Sequence, residues 1–207
     1  MKALILVAFT GVLLSSIPAS AQKKAAQPRL QYTLDSLYTV EAKLYQQWAG
    51  ARGDSARAAA ERAREGTVER DQYRVQALTA RYGFPTYAMV GQATSRRFGE
   101  LVLRYSRLPE LQQQVQQLMA KEVRKNDADD VAFAALTDVV ELRAGRPQVY
   151  GTQLAYRGDN AGPVAQQPLL DPAKVNARRA SLGLEPLEAY LKKQKDKHQP
   201  ATKQKPK

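Results

Sequence analysis

The feature that most constrains this chain is a ten-residue break in an otherwise helical pattern. Residues 145–154 read Gly-Arg-Pro-Gln-Val-Tyr-Gly-Thr-Gln-Leu and form what we call the motif segment. Gly145 suits the end of a helix, and Pro147 cannot continue one. Val149, Tyr150, Thr152 and Leu154 favour a strand. The chain is therefore expected to be helical before this segment and to turn into a β-hairpin within it.

Apolar residues recur at helical spacing along most of the chain before the motif segment. Together with the Gly, Pro and Asp residues that mark helix ends, this spacing predicts helices over roughly 30–48, 54–66, 67–82, 92–105, 109–123 and 131–144. Asp54 is expected to cap the second of these helices. The glutamines from Gln112 to Gln117 are assigned to the outer face of the fifth. In the sixth, one buried face is expected to carry Val131, Ala135, Asp138 and Leu142.

After the motif segment the pattern predicts a short hairpin and one more helix. Residues 149–156 are expected to pair with 163–167 around a turn at Gly158-Asp159-Asn160. Asp171 before Pro172 predicts a helix start, and a last turn or two follows over 185–191. The expected fold is mainly α, a single helical domain over 29–191 with a small β-hairpin near the C-terminal third. Residues 192–207 are expected to form a disordered Lys-rich tail.

The N-terminal residues have the pattern of a signal peptide. A charged Lys2 precedes an apolar run over 3–14, and Ala19-Ser20-Ala21 supplies small residues for cleavage. The run is shorter than the roughly 20 residues that a transmembrane helix needs, and no other stretch is apolar enough to cross a membrane. We expect a signal peptide over 1–21, a linker over 22–28, and export to the periplasm or the medium.

The net charge of +12 is concentrated at the end of the chain. Residues 192–207 contain seven Lys and one Asp, a net charge of +6, whereas residues 29–191 carry 22 basic and 19 acidic residues. This distribution, without the aromatic and basic pattern of a nucleic-acid module, predicts no nucleic-acid partner. The tail is expected either to be merely solvated or to contact anionic polymers or lipid headgroups.

Several chemistries are excluded by residues that the sequence lacks. There is no cysteine, so disulfides, a cysteine nucleophile and a lipoprotein anchor are excluded. The only histidine is His198, within the Lys-rich end, which argues against a Ser-His-Asp triad and against zinc sites. No glycine-rich phosphate loop is present. We therefore predict no cofactor and no metal, and a carboxylate-only mechanism remains open.

Two carboxylates stand where the helical pattern expects apolar residues, at Asp71 and Asp138. A buried charge needs a partner, and the candidates are Arg74, Arg146, Arg178 and Arg179. One interpretation is a structural network in which Asp138 grips the backbone or an arginine of the motif segment. The other is a polar ligand pocket, whose candidate residues are Asp71, Gln72, Arg74, Asp138, Arg146, Tyr150, Thr152, Gln153 and Arg178.

Short strings on both sides of the motif segment carry a family resemblance. They are Asp71-Gln72-Tyr73-Arg74, Gly83-Phe84-Pro85, Val90-Gly91, Asp171-Pro172, and the set Val175, Arg178, Arg179, Gly183, Leu184, Pro186, Leu187 and Leu191. With the motif segment, they resemble an uncharacterised bacterial family recognised by a Tyr-Gly-Thr-Gln core. The resemblance covers roughly residues 67–191. Members often have a Gln-His pair where this chain has Arg104 and Tyr105, and the resemblance implies no activity or catalytic residue.

Three functions remain open from the sequence. The first is an exported binding or interaction module for a polar ligand or envelope component. The second is a carboxylate-dependent hydrolase or lyase acting on envelope polysaccharide, which needs two of Asp71, Asp138 and Glu141 within about 10 Å across an open cleft. The third is a protein that adheres through its basic tail.

Overall fold

A computed structural model describes residues 25–105, 107–156 and 162–198. The fold is mainly α with one small hairpin, as predicted. It contains two compact units, and the division falls inside a helix, between Leu136 and Thr137. We call the described residues 25–136 the N-terminal unit and the described residues from 137 onward the C-terminal unit. Nothing in the sequence marks this division.

Some predictions fall outside the described residues. These are the signal peptide over 1–21, residues 22–24 of the linker, the turn at 158–160 and the last nine residues of the tail. Among the residues that are described, no helix combines the length and the apolar character needed to cross a membrane.

The N-terminal unit is built from helices that follow one another through short connections. They are α1 (Pro28–Gly50), α2 (Asp54–Tyr82), α3 (Tyr87–Val90), α4 (Gln92–Arg104), α5 (Pro109–Val123) and the start of α6 (Asp130–Arg143). Gly83 ends α2 with a φ of 71°, and Gly91 separates α3 from α4 with a φ of 81°, conformations that favour glycine. Pro109 opens α5 as predicted, because a first-turn proline needs no hydrogen-bond donor.

The core of the N-terminal unit lies between α1, α2, α4 and α5. The apolar faces predicted for these helices are buried, with side chains from Leu30, Leu34, Leu37, Val75, Phe98, Leu101, Val102, Tyr105, Leu111, Val115 and Met119. This burial of apolar area is the main stabilising contribution to the unit.

Two predictions about α2 are wrong. Residues 54–82 form one continuous helix instead of two, because Gly66 costs only about 1 kcal/mol in a helix and no proline interrupts the hydrogen bonding. The Arg57 and Arg64 guanidiniums lie over the Trp48 ring at 5.9 and 5.5 Å, which holds the first half of α2 against α1. Asp54 is the first residue of the helix and not its cap, a position held by Gly53.

The predicted faces of α5 and α6 also need correction. Gln112 is fully buried, because its amide donates to the backbone oxygens of Val102, at 2.9 Å, and Leu103, at 3.2 Å. Those two carbonyls belong to the last turn of α4, where intrahelical partners run out. On α6, Val131 is 62% exposed, whereas Ala132, Phe133 and Leu136 are buried in its place. The buried stripe of α6 is therefore rotated from the one predicted.

The C-terminal unit begins with the end of α6 and contains β1 (Leu154–Tyr156), β2 (Pro163–Ala165), a 3-10 turn (Pro172–Lys174), α7 (Val175–Ala180) and α8 (Leu187–His198). The two strands are antiparallel, with Leu154 opposite Ala165 and Tyr156 opposite Pro163. Ala165, Val175 and Leu187 form its apolar core, against which Leu169, Tyr190 and Leu191 pack.

Three predictions for the C-terminal unit differ from the structure. The hairpin exists, but residues 149–153 are not strand, because the N–H groups of Val149, Tyr150 and Thr152 bind the Asp138 carboxylate and not a second strand. Asp171 precedes a helical turn as predicted, yet it has a left-handed backbone and its side chain makes no capping hydrogen bond. Residues 192–198 continue α8 instead of being disordered, since Gln194 buries its side chain on the inner side of that helix.

Candidate functional site

The carboxylate of Asp138, on the second half of α6, is fully buried. Its Oδ1 accepts hydrogen bonds from the backbone N–H groups of Val149, at 2.6 Å, and Tyr150, at 2.9 Å. Its Oδ2 accepts from the N–H of Thr152, at 2.7 Å, and from the Thr152 hydroxyl, at 2.8 Å. These four donors fill the roughly four lone-pair sites of a carboxylate. Asp138 therefore holds the motif segment by its backbone.

The need for such a carboxylate follows from the irregular path of residues 149–152. Backbone N–H groups outside a helix or strand must find other partners when they are buried. A carboxylate is the strongest acceptor for them, because charge-assisted hydrogen bonds are shorter and stronger than neutral ones. Burial raises the pKa of Asp138, and the hydrogen bonds from Thr152, Tyr150 and Val149 oppose that rise.

Two arginines of α7 bind the carbonyl side of the same residues. Arg179 donates from Nη1 to the oxygen of Tyr150, at 2.8 Å, and from Nε to the oxygen of Glu185, at 2.6 Å. Arg178 donates from Nε to the oxygen of Val149, at 2.8 Å, and from Nη2 to the oxygen of Leu170. The peptide groups of the motif segment thus lie between a carboxylate on their N–H side and guanidiniums on their C=O side.

Three further residues complete this arrangement. The Gln148 side chain is fully buried; its Oε1 accepts from the Gln153 N–H at 3.1 Å, and its Nε2 donates to the oxygens of Gln153 and Gln166. The Tyr190 hydroxyl donates to the oxygen of Thr152 at 3.2 Å. At Gly151, where φ is 73°, an added Cβ would lie 3.0 Å from Leu187 Cδ1. We call these residues, with Asp138, Arg178 and Arg179, the clasp.

The predicted Asp–Arg pair between α6 and the motif segment is absent from the clasp. Arg146 instead pairs with Glu141 on the exposed side of α6, with its Nε 2.5 Å from Oε2. Of the two interpretations drawn from the sequence, the contacts match the structural network in the form in which Asp138 grips the backbone. The hydrogen bonds of Asp138 and Arg178 are directed at the chain itself.

The predicted site residues divide between the two units. Asp138, Arg146, Tyr150, Thr152, Gln153 and Arg178 lie in the C-terminal unit, and Asp71, Gln72 and Arg74 lie on α2 in the N-terminal unit. Asp71 and Gln72 are buried. The guanidiniums of Arg70 and Arg74, both exposed, approach one Asp71 oxygen at 3.5 Å each, so the predicted pairing of Asp71 with Arg74 is present as a long contact.

Asp71 belongs to a buried polar cluster that we call the core acidic cluster. Glu41 of α1 is 3% exposed, and its Oε2 lies 3.8 Å from Nη1 of Arg104 on α4. The fully buried Tyr105 follows Arg104 and interacts with both Glu41 and Asp71. Burial, together with the charges of Glu41 and Asp71, raises the pKa of the Tyr105 phenol. Arg104 and Tyr105 stand at the positions where the sequence resemblance leads us to expect a Gln-His pair.

Neither polar cluster has the donor set of a metal site. Within 25–105, 107–156 and 162–198, no group of three or more His, Asp or Glu side chains is arranged to hold a metal ion.

A shallow groove of about 520 Å³ runs along α1. It lies next to the exposed Tyr32 and Val40, and Gln31, Asp35, Ser36 and Thr39 also line it.

Sequence reasoning missed three residues of these clusters. Gln148 stands inside the motif segment, but its type gives no sign of burial. Glu41 did leave a signal, since Leu30, Leu34, Leu37, Leu44 and Trp48 outline an apolar face and position 41 is the acidic gap within it. Tyr190 left no signal in the sequence, because its hydrogen bond to the Thr152 oxygen depends on how α8 approaches that residue.

Comparison with known proteins leads to one family and no further relatives. No curated protein matches the sequence, and no solved structure matches it either. One family model, described as a family of unknown function (DUF6624), matches residues 28–203. That range is wider than the 67–191 expected from the short strings, since it adds α1, residues 54–66 of α2 and residues 192–203. The chain therefore belongs to the DUF6624 family, whose function is unknown.

Proposed function

We propose that this protein is an exported binding or interaction module, in which the motif segment braces the fold rather than reacting with a substrate. The observation that carries the proposal is the set of four hydrogen bonds received by Asp138. A carboxylate whose lone pairs are all used has no acceptor left for a ligand or for proton transfer. The two arginines of α7 are likewise directed at backbone carbonyls.

Export is supported by the sequence of residues 1–21 alone. Cleavage after Ala21 would leave a mature chain that begins at Gln22. The test is an intact-mass measurement on protein recovered from outside the cytoplasm of an expressing bacterium. A mass corresponding to a chain that starts near Gln22 is expected. Exported protein that retains residues 1–21, or protein confined to the cytoplasm, would overturn this part of the proposal.

The partner that the charge distribution supports is an anionic polymer of the cell envelope. Lys192 and Lys193 on α8 have side chains that are 80% and 64% exposed, and Lys197 is exposed beside them. Three more lysines follow between 203 and 207. Lys192 and Lys193 each contact a carboxylate, Asp196 and Glu185, but exposed pairs of this kind contribute little and leave net positive charge. Such a surface supports weak, salt-sensitive adhesion.

A charge-matched comparison tests this binding surface. One variant carries Lys192→Gln, Lys193→Gln and Lys197→Gln, and the control carries Lys43→Gln, Lys121→Gln and Lys125→Gln at exposed positions of the N-terminal unit. The probe is a soluble phosphodiester polymer, titrated at low and high salt. We expect the α8 variant to lose most of the binding and the control to keep it.

Two results would contradict the polymer proposal. Equal losses in both variants would mean that net charge alone, without a defined surface, determines binding. Binding to vesicles of phosphatidylglycerol and phosphatidylcholine, with none to the polymer, would assign the surface to lipid headgroups instead.

The hydrolase alternative can be tested separately. It needs two free carboxylates facing an open cleft, but Asp138 is saturated and Glu141 is paired with Arg146. The assay measures reducing ends released from purified envelope polysaccharide by the wild-type chain, with Glu141→Gln as the matched variant. We expect no release. Release that depends on Glu141 would replace the binding proposal by hydrolysis.

A further inference from the structure

The core acidic cluster contains a buried carboxylate with too few partners. Glu41 lies on the inner face of α1, on the same stripe as Leu30, Leu34 and Leu37. Among the described residues, its Oε1 has no hydrogen-bond partner. Its Oε2 has Arg104 at 3.8 Å, a distance longer than a hydrogen bond. An ionised carboxylate in this position gives up its hydration and receives little in return.

The surroundings of Glu41 come from the two helices that pack against α1. Helix α2 contributes the buried Asp71, a second carboxylate of the same charge, and Arg64. Arg104 ends α4, and the hydroxyl of Tyr105 after it lies close to Glu41 but makes no hydrogen bond of regular geometry to a described residue. Two acidic side chains therefore repel each other inside the N-terminal unit, and Arg104 lies 3.8 Å from Glu41, beyond hydrogen-bond distance.

We propose that Glu41 is a proton-binding site inside the N-terminal unit, through which acidification stabilises the packing of α1 against α2 and α4. Protonation removes the buried charge and its repulsion with Asp71. This inference does not depend on the proposed binding function, because it concerns the stability of one unit.

The direction of the pH effect follows from the pKa of Glu41. Burial raises that pKa above the ordinary value of 4.5 and Asp71 adds to the rise, whereas Tyr105, Arg104 and Arg64 oppose it. The folded state therefore binds this proton more tightly than the unfolded chain does. The resulting stabilisation is fully present below the ordinary value and is lost as the pH rises through the folded pKa.

A direct test is a carbon-13 NMR titration of the Glu41 carboxyl in the full mature chain. The titration midpoint of that carboxyl is expected above 4.5. In Tyr105→Phe the midpoint should rise further, because the hydroxyl that opposes the shift is removed. A midpoint at or below the ordinary value, or a fall in the Tyr105→Phe variant, would overturn the proposal.

Thermal unfolding of matched variants gives a second, independent readout. When the pH is lowered from neutral to the ordinary glutamate pKa, the Tm of wild type should rise by roughly 2–4 °C relative to that of Glu41→Gln, which cannot take up the proton. The control is Glu69→Gln, an exposed residue of α2 that pairs with Arg107 at 3.6 Å and should keep the wild-type pH dependence. Parallel pH curves for wild type and Glu41→Gln would refute the proposal even if both proteins fold equally well.

Discussion

Asp138 and Glu41 are both buried carboxylates on helices, and their surroundings are opposite. Asp138 receives four hydrogen bonds from a loop that has no other way to satisfy its backbone. Glu41 has one unbonded oxygen and an arginine at 3.8 Å. Burial of an acidic residue is therefore not by itself a sign of function. The number and geometry of its donors separate a structural anchor from a group whose ionisation opposes folding.

The largest expected effect is on Asp138→Ala, which should destabilise the fold by more than about 3 kcal/mol, because several buried donors lose their acceptor at about 1–3 kcal/mol each. The substitution leaves three backbone N–H groups and a hydroxyl without their acceptor, and it removes one of the acidic groups that interact with Arg179. A typical domain has about 5–15 kcal/mol in total, so partial unfolding should be visible in urea denaturation at neutral pH.

The control for Asp138→Ala is Glu69→Ala. Glu69 is exposed and pairs with an exposed arginine, so the change should stay within about 0.5 kcal/mol of wild type. An Asp138→Ala variant that unfolds like this control would show that the four hydrogen bonds are not stabilising. The contrast between Asp138 and Glu41 would then disappear.

A smaller loss is expected for Arg179→Met, on the carbonyl side of the clasp. Arg179 is 2% exposed, and its removal takes away the donor to the oxygens of Tyr150 and Glu185, at a cost of about 1–3 kcal/mol. The guanidinium also lies over the Tyr190 ring at 5.0 Å, an interaction that methionine does not replace. Chemical denaturation of this variant measures the loss.

The comparison for Arg179→Met is Arg178→Met, at a less buried position of the same helix. Water can reach the carbonyls released there, so this substitution should cost less. If Arg178→Met were the more destabilising of the two, the carbonyl side of the clasp would be held mainly at its exposed edge.

The smallest effect is expected for Arg146→Ala. Its pair with Glu141 is exposed, and pairs of this kind contribute little to stability. The Tm should not differ measurably from wild type in a calorimetric scan at physiological salt. A clear fall would mean that the motif segment is docked by Arg146, as the sequence suggested, and not by the backbone contacts to Asp138.

Much of the secondary structure could be predicted from local patterns. Gly83, Gly91 and Pro109 mark helix ends through their own backbone preferences, so their positions are readable without tertiary information. The sequence was less informative where the residues that mark helix ends give only a weak signal. Gly66 lies within a helix because the cost of one glycine is smaller than the gain from continuing the hydrogen bonds on both sides.

The site could be predicted only as a set of residue types. The sequence marked Asp138 as a charge at an apolar position and marked the motif segment as an interruption of the helices. It therefore determined that the carboxylate needs partners, because the penalty for burying an unpaired charge holds in any fold. An arginine was the natural guess, since charge is visible in a sequence and unpaired backbone is not.

Only the tertiary structure decided which partners were taken. The backbone N–H groups of Val149, Tyr150 and Thr152 became the donors because β1 begins at Leu154 and leaves them without a strand. Glu41 was left with Arg104 at 3.8 Å because α1 and α4 place it there, and no local pattern encodes that distance. Side-chain chemistry is local and can be read from the chain, whereas hydrogen-bond satisfaction depends on how separate elements pack.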